Sequence, residues 1–231
     1  MKSKAAFLLS SLVVSSAAFA QAPAPEPDYT LGFNVGVVTD YRFRGISQSR
    51  LKPALQGGID FAHKSGFYVG TWASTIRILE DIPGGDGPVE VDFYGGYKGS
   101  INDALSYDVG VLRYQYPQEN FATTPNTTEL YGALSFGIAT VKYSRSISRQ
   151  TFGVANSRGS YYLEGAATFD LGNGFSLVPH IGYQHFAGSN AGVTNDSFAT
   201  YTDYSLTLAK DMGNGLSLSA AVVGTDTKDP F

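Results

Sequence analysis

The sequence has no cysteine, little charge and no long apolar run beyond its first residues, and each absence removes a class of protein. Without cysteine among its 231 residues, no disulfide framework, thiolate metal site or cysteine nucleophile can form. Charged residues make up 16% of the chain, against about a quarter in an average soluble domain. The mean hydropathy is nevertheless only −0.07. After the first twenty residues no apolar stretch approaches the roughly 18 residues that a membrane helix needs. A net charge of −4 with no basic run argues against nucleic acid as a partner. No Pro/Ser-rich linker or charge block divides the middle of the chain, so a single domain is expected.

What is present begins with an export signal. Lys2 and Lys4 precede an apolar core from Ala5 to Val14, and small residues lead to Ala18-Phe19-Ala20. This is the pattern of a secretory signal peptide over residues 1–20 with an A-x-A-like cleavage site. Removing the two lysines from the 16 basic residues leaves 14 against 20 acidic, a net of −6 for the mature chain. Residues 21–28, QAPAPEPD, read as a short extended leader. Residues 29–231 are then the working domain.

Period-two alternation fills that domain in stretches of about ten residues, the repeated signal of a transmembrane β-barrel. From Tyr29 onward Leu31, Phe33, Val35, Val37, Tyr41 and Phe43 oppose Gly32, Asn34, Gly36, Asp40, Arg42 and Arg44. The same split recurs at 54–63, 88–98, 128–136 and 161–170, and further strands fit 66–75, 104–116, 139–147, 174–186, 201–210 and 215–224. That makes about eleven strands. Bacterial single-chain barrels have even counts, so about twelve are expected: either the chain is truncated before a closing strand, or one strand is miscounted, or the barrel closes imperfectly. Pro179 is out of place in a closed ladder because it has no N–H to donate.

A soluble β-sandwich alternates in the same way with its apolar face inward, so alternation alone leaves both architectures open. The connections favour the barrel. Short Asn/Gly turns such as Gly172-Asn173-Gly174 and Gly213-Asn214-Gly215 alternate with longer polar loops near 45–53, 76–88, 117–127, 148–160 and 187–199. This is the spacing of short periplasmic turns and long extracellular loops. Aromatics cluster at both strand ends: Phe61, Phe67, Tyr97, Tyr107, Phe136, Phe169 and Phe175 beside the short turns, and Tyr41, Phe43, Tyr116 and Tyr161 beside the long loops. Two such girdles suit the wet boundaries of a bilayer. The reading is an all-β, transmembrane, antiparallel up-and-down barrel.

The stretch Asp40-Tyr41-Arg42-Phe43-Arg44-Gly45-Ile46-Ser47-Gln48-Ser49, followed by Pro53-Ala54-Leu55-Gln56-Gly57-Gly58-Ile59-Asp60, resembles the TorF porin family of proteobacterial outer-membrane proteins. The likeness continues through Gly66–Ser74, Glu90–Tyr97, Ser106–Gly110, Thr128–Gly132, Gly182–Gln184 and Tyr201–Tyr204. It implies an outer-membrane barrel of a Gram-negative bacterium, in contact with lipid and with the periplasmic chaperones and barrel-assembly machinery that deliver such proteins, and it carries over no substrate. Family members continue into one more strand ending in an aromatic residue, and this sequence departs there.

With the apolar parity facing lipid, the other parity faces the lumen: Asp40, Arg42, Arg44, Gln56, Asp60, Glu90, Asp92, Lys98, Asp108, Glu129, Lys142, Glu164, His180, Gln184 and Asp203. Arg113 and Arg145 break parity, which bulges or rim positions would explain. Acidic residues outnumber basic ones in the inward set, and a carboxylate-rich lumen attracts cations. The expected function is passive diffusion of small hydrophilic solutes or ions through a narrow, weakly cation-preferring pore, with Arg42 and Arg44 opposing acidic residues across a constriction. The alternatives are a barrel plugged by those same ion pairs and a surface-display barrel whose loops bind a partner. Catalysis is not expected, and neither a cofactor nor a metal is implied: His63, His180 and His185 match no helical metal motif, and His180 and His185 fall on opposite faces of one strand. An outer-membrane lipase would have to be built on His185, which more simply reads as a rim residue.

Overall fold

The computed structural model describes residues 6–9, 27–81 and 85–227. The signal and leader expectations for residues 1–5 and 10–26, loop residues 82–84, and Lys228 to Phe231 lie outside the described residues. Eleven strands form one antiparallel sheet: β1 Tyr29–Val38, β2 Ala54–His63, β3 Phe67–Thr75, β4 Val89–Ser100, β5 Leu105–Gln115, β6 Thr127–Phe136, β7 Ala139–Ser146, β8 Tyr161–Ala167 continuing as Phe169–Gly172, β9 Phe175–His185, β10 Tyr201–Gly213 and β11 Leu216–Thr225. Each pairs with its neighbours in the chain, the up-and-down order that the alternating short and long connections imply. Among the described residues no strand follows β11 in the chain.

The faces separate by chemistry. Leu31, Phe33, Val35, Leu55, Phe93, Val109, Leu134, Leu163, Ile181, Leu206 and Val222 are all exposed on one face. Most of their alternate neighbours are buried or half-buried, and many of these are polar. A sandwich would bury the apolar face and wet the polar one, so the exposed apolar belt rules that architecture out. At the short-turn end the outward rings of Phe67, Phe136, Phe169 and Phe175 stand exposed as expected. Lys210 leaves the same belt by lying over the Phe175 ring, 4.3 Å from its centroid. At the other end Tyr161 stacks between Tyr143 and Tyr183 on the outer face.

Three girdle expectations fail. β1 ends at Val38, not Arg44, and the chain turns inward there, so Tyr41 and Phe43 pack inside the sheet against Trp72 and Tyr114. Tyr116 is likewise buried in that inner cluster. Arg113 and Arg145 do point outward, but without bulges: the register of β5 and β7 runs unbroken through both. They sit at the loop end, where Arg113 hydrogen-bonds to Gln115 and Thr128. A rim guanidinium keeps access to water and headgroups, which is why the position tolerates it.

Pro179 explains the gap in β8. The β8–β9 ladder pairs Ala166 with His180 and resumes at Phe169 with Leu177 in the same register, losing only the pairs opposite Val178 and Pro179. The missing proline N–H interrupts the ladder there, while Thr168 N–H turns to Ile138 O at 2.9 Å.

Inside, large rings lie on glycines of the neighbouring strand. A Cβ on Gly70 would stand 2.5 Å from the Tyr94 ring, and one on Gly110 would stand 2.5 Å from the Tyr131 hydroxyl. Tyr68 lies over Gly96 and Tyr162 over Gly182 in the same way. Glycine is what lets each ring lie flat on the sheet.

Eleven is an odd number, so β1 and β11 run in the same direction and cannot form an antiparallel seam. The sheet is accordingly not closed. The edge of β11 pairs instead with a short strand, Ala6–Leu9, within the expected signal segment, from Ala6 opposite Val223 to Leu9 opposite Ala220. Two variants test the inner packing. Gly70→Val is expected to cost about 1–3 kcal/mol by displacing Tyr94, whereas Gly32→Ala, with nothing within 4 Å of the added carbon, should leave the urea midpoint in lipid vesicles unchanged.

Candidate functional site

Residues 39–53, the first long loop, fill the loop-side half of the lumen. Asp40 organises the segment: its carboxylate accepts from Arg42 Nε at 2.6 Å, Ser49 Oγ at 3.0 Å and Leu51 N–H at 3.1 Å. Arg42 and Phe43 pair with Ser47 and Ile46 in a two-residue hairpin whose tip is Arg44-Gly45, with φ of 46° and 81°. Two consecutive positive φ values make the tight turn that a short hairpin prefers. Gly45 lies against the far edge of the sheet, where a Cβ would stand 2.6 Å from Asp203 Cβ and 3.2 Å from Thr225 Cβ. A loop that leaves β1 thus reaches the inner face of β10 and β11, which is direct evidence that the sheet curls around it.

Arg44 crosses the interior. Its guanidinium donates to both Glu129 carboxylate oxygens on β6, at 3.0 and 2.7 Å, and to Gln184 Oε1 on β9 at 2.6 Å. It lies 4.2 Å from the Tyr162 ring centroid and 4.8 Å from that of Phe43. Burial by itself works against the charge, but the adjacent Glu129 more than offsets it and raises the Arg44 pKa, keeping the group protonated. The bidentate geometry gives the ion pair its directionality. Arg44 thus meets a carboxylate from a distant strand, the geometry expected of an arginine and a carboxylate opposed across the lumen. It does not hold for Arg42, whose partner Asp40 is two residues away.

Two cavities flank this layer. The one on the short-turn side is about 490 Å³ and brings together eight of the residues expected to face the lumen: Asp40, Arg42, Arg44, Gln56, Lys142, Glu164, His180 and Asp203. His180 Nε2 is 3.1 Å from Glu164 Oε2, and Tyr162 donates to Asp203 at 2.8 Å. One wall carries only small side chains, among them Ser205, Thr207, Ser219 and Ala221. Asp60 lies lower and accepts from Tyr94 at 2.5 Å, while Asp108 accepts from Tyr68 at 2.5 Å. The second cavity, about 560 Å³, opens among the long loops with Gln184 in its wall.

Glu90, Asp92 and Glu129 point inward as expected, but they do not face open space; all three are buried in the wall near the first loop. Glu90 is 0% exposed, and neither of its oxygens has a hydrogen-bond partner of normal geometry. Beside it the Tyr41 and Tyr116 phenols have pKa values pushed well up, by burial first and by the Glu90 charge second. His185 faces outward, stacks on Tyr161 at 4.9 Å and lies 3.0 Å from Asp196, a rim arrangement opposite in direction to His180. Alternation could not reveal the rings lying on glycines, since they depend on register. The Arg44-Gly45 turn was in principle visible as a bulky residue before a glycine.

A family model matches residues 21–231, nearly the whole chain after the signal segment. The chain belongs to the Gcw_chp family of bacterial proteins of unknown function. No curated protein matches it in sequence. Solved structures similar to this Gcw_chp chain include the COG4313 outer membrane channel from Pseudomonas putida F1, at 13% identity and a TM-score of 0.47 over 95% of this chain and 94% of that one. OprD from Pseudomonas aeruginosa aligns at 10% identity and a TM-score of 0.37 over 84% of this chain, which spans only 66% of OprD. OccAB4 from Acinetobacter baumannii aligns at 10% identity and 0.41 over 88% of this chain and 63% of that one.

Glu90 offers a test of the buried wall. Glu90→Gln removes a buried carboxylate beside Asp92 while keeping its shape, and should stabilise the folded barrel by about 1–3 kcal/mol. A urea titration at pH 8 reads the change, and a lowered midpoint would mean that Glu90 has a stabilising partner.

Proposed function

We propose that this chain is an outer-membrane porin of the TorF type in a Gram-negative bacterium, giving small hydrophilic solutes or ions a passive route through a lumen constricted at Arg44. The observation that carries the reading is the pairing of an exposed apolar belt outside with a polar cavity inside, beneath a loop held by one ion pair. The signal-like segment supports export, and delivery then requires periplasmic chaperones and the barrel-assembly machinery. A weak cation preference is supported by the inward residues: Arg42 and Arg44 are each tied to a carboxylate, leaving Lys98 and Lys142 against Asp60, Asp108, Glu164 and Asp203. Such a balance favours cations in a narrow lumen.

The second reading, a plugged barrel that displays its loops, draws on the same Arg44–Glu129 contact. Planar-bilayer recording separates the two. Purified protein should give discrete conductance steps with a reversal potential of cation sign in a salt gradient. Arg44→Ala, by releasing the hairpin tip, should raise the unit conductance roughly two-fold. No steps from either protein would establish the plugged barrel instead.

A further inference from the structure

The cavity on the loop side of Arg44 differs from the lumen beneath it. Every long loop contributes to it, with Phe43 from the first, Leu79 from the second, Phe121 from the third, Phe152 from the fourth and Phe198 from the fifth, and among the described residues no charged side chain lines it. The loops are not short of charge: Arg77, Glu80, Glu119, Arg149, Arg158 and Asp196 all belong to them, yet none of these six lines the cavity. A mouth that only admitted hydrated ions would have no use for a dry lining. Apolar walls with a few amides and phenols are instead the composition of a small-molecule pocket, and about 560 Å³ lies within the usual range for one.

The loops around the pocket are built to stay in place. Asn195, fully buried, donates from Nδ2 to Ala155 O at 3.0 Å and Ala187 O at 2.8 Å, tying the fifth loop to the fourth. Backbone N–H groups of Arg77 and Ile78 donate to Gln48 O, tying the second to the first. Phe43, Tyr114 and Phe152 pack edge to face at the floor, with centroids 5.1–5.4 Å apart. Rings packed this way accept another ring well. Arg44, beneath the floor, already donates to Glu129 and Gln184, so it has little to offer a carboxylate entering from the loop side.

From this geometry we infer that the loop-side pocket is a binding site for a small, uncharged aromatic molecule, held between the loop phenylalanines above the Arg44 layer. The inference rests on the porin reading only for its direction, with the ligand arriving from the extracellular side.

The test uses the full mature chain in lipid nanodiscs and 2-naphthol, a neutral fluorescent bicyclic, with empty nanodiscs correcting for partition into lipid. Saturable binding beyond the empty discs is expected, at least tenfold weaker in Phe198→Asp. That position is 51% exposed and its substitution leaves the strands untouched. The anionic 2-naphthoate should bind at least tenfold more weakly than 2-naphthol. Binding no greater than to empty discs, unchanged binding in Phe198→Asp, or equal affinity for 2-naphthoate or for octanol would each overturn the proposal. Conductance of the same preparation keeps the two claims apart. Steps without 2-naphthol binding would sink the pocket alone, and binding without steps would sink the pore alone.

Discussion

Backbone hydrogen bonding in hydrocarbon is the constraint from which the rest follows. Each unpaired N–H or C=O in a bilayer costs several kcal/mol, so a chain without membrane helices can cross only as a sheet that pairs every strand with its neighbours. The eleven strands do this from β1 to β11. Alternation then becomes obligatory, because each strand has one face toward lipid and one toward the interior. The low charge of the sequence is a consequence: charge is confined to one residue in two, to the loops and to the rim, where Arg113 and Arg145 stand. The seam is where the constraint is least satisfied. Two edge strands running the same way leave room for another strand, and the chain places residues 6–9 of its expected signal segment on one of those edges.

The interior solves a different problem. A ring of about a dozen strands is wider than side chains alone fill and narrower than an open aqueous channel. The chain occupies that intermediate space unevenly. On the β3–β6 side tyrosines lie over neighbouring glycines, while on the β10–β11 side the wall is serine, threonine and alanine, so free volume is displaced to one side. The first loop then crosses what remains, with its tip seated on Asp203 and Thr225 and its arginine on Glu129. One bidentate ion pair thereby lies between a polar chamber and an aromatic one.

Much of the outer surface was legible in the sequence. Strand number, order, the long and short connections and the lipid face of β1 to β11 all follow from period two and from Asn/Gly turns, because lipid imposes that period on every strand. The inner surface was legible only as parity. Asp40-Tyr41-Arg42-Phe43-Arg44 alternates as a strand does, and a hairpin folded into the lumen also alternates, so parity placed Tyr41 and Phe43 on lipid when they pack inside. Tyr116 has the inward parity of β5 and was misplaced only because it sits beside a long loop. Parity also placed Glu90, Asp92 and Glu129 correctly inward without showing that the first loop covers them. The pairing of Tyr94 with Gly70 and of Tyr131 with Gly110 depends on cross-strand register, and the aromatic chamber depends on five loops meeting, neither of which a single sequence states.

Because the chain has no cysteine, the sidedness of the sheet can be read directly by single-cysteine variants carrying a nitroxide label in lipid vesicles. Leu206 and Leu208 on β10 are exposed on the apolar face, and Ser205 and Thr207 line the inner cavity. Labels at 206 and 208 should relax mainly by collision with lipid-dissolved oxygen, and labels at 205 and 207 mainly by collision with a water-soluble nickel chelate. The opposite pattern, or four labels that behave alike, would contradict a barrel with its apolar face in lipid.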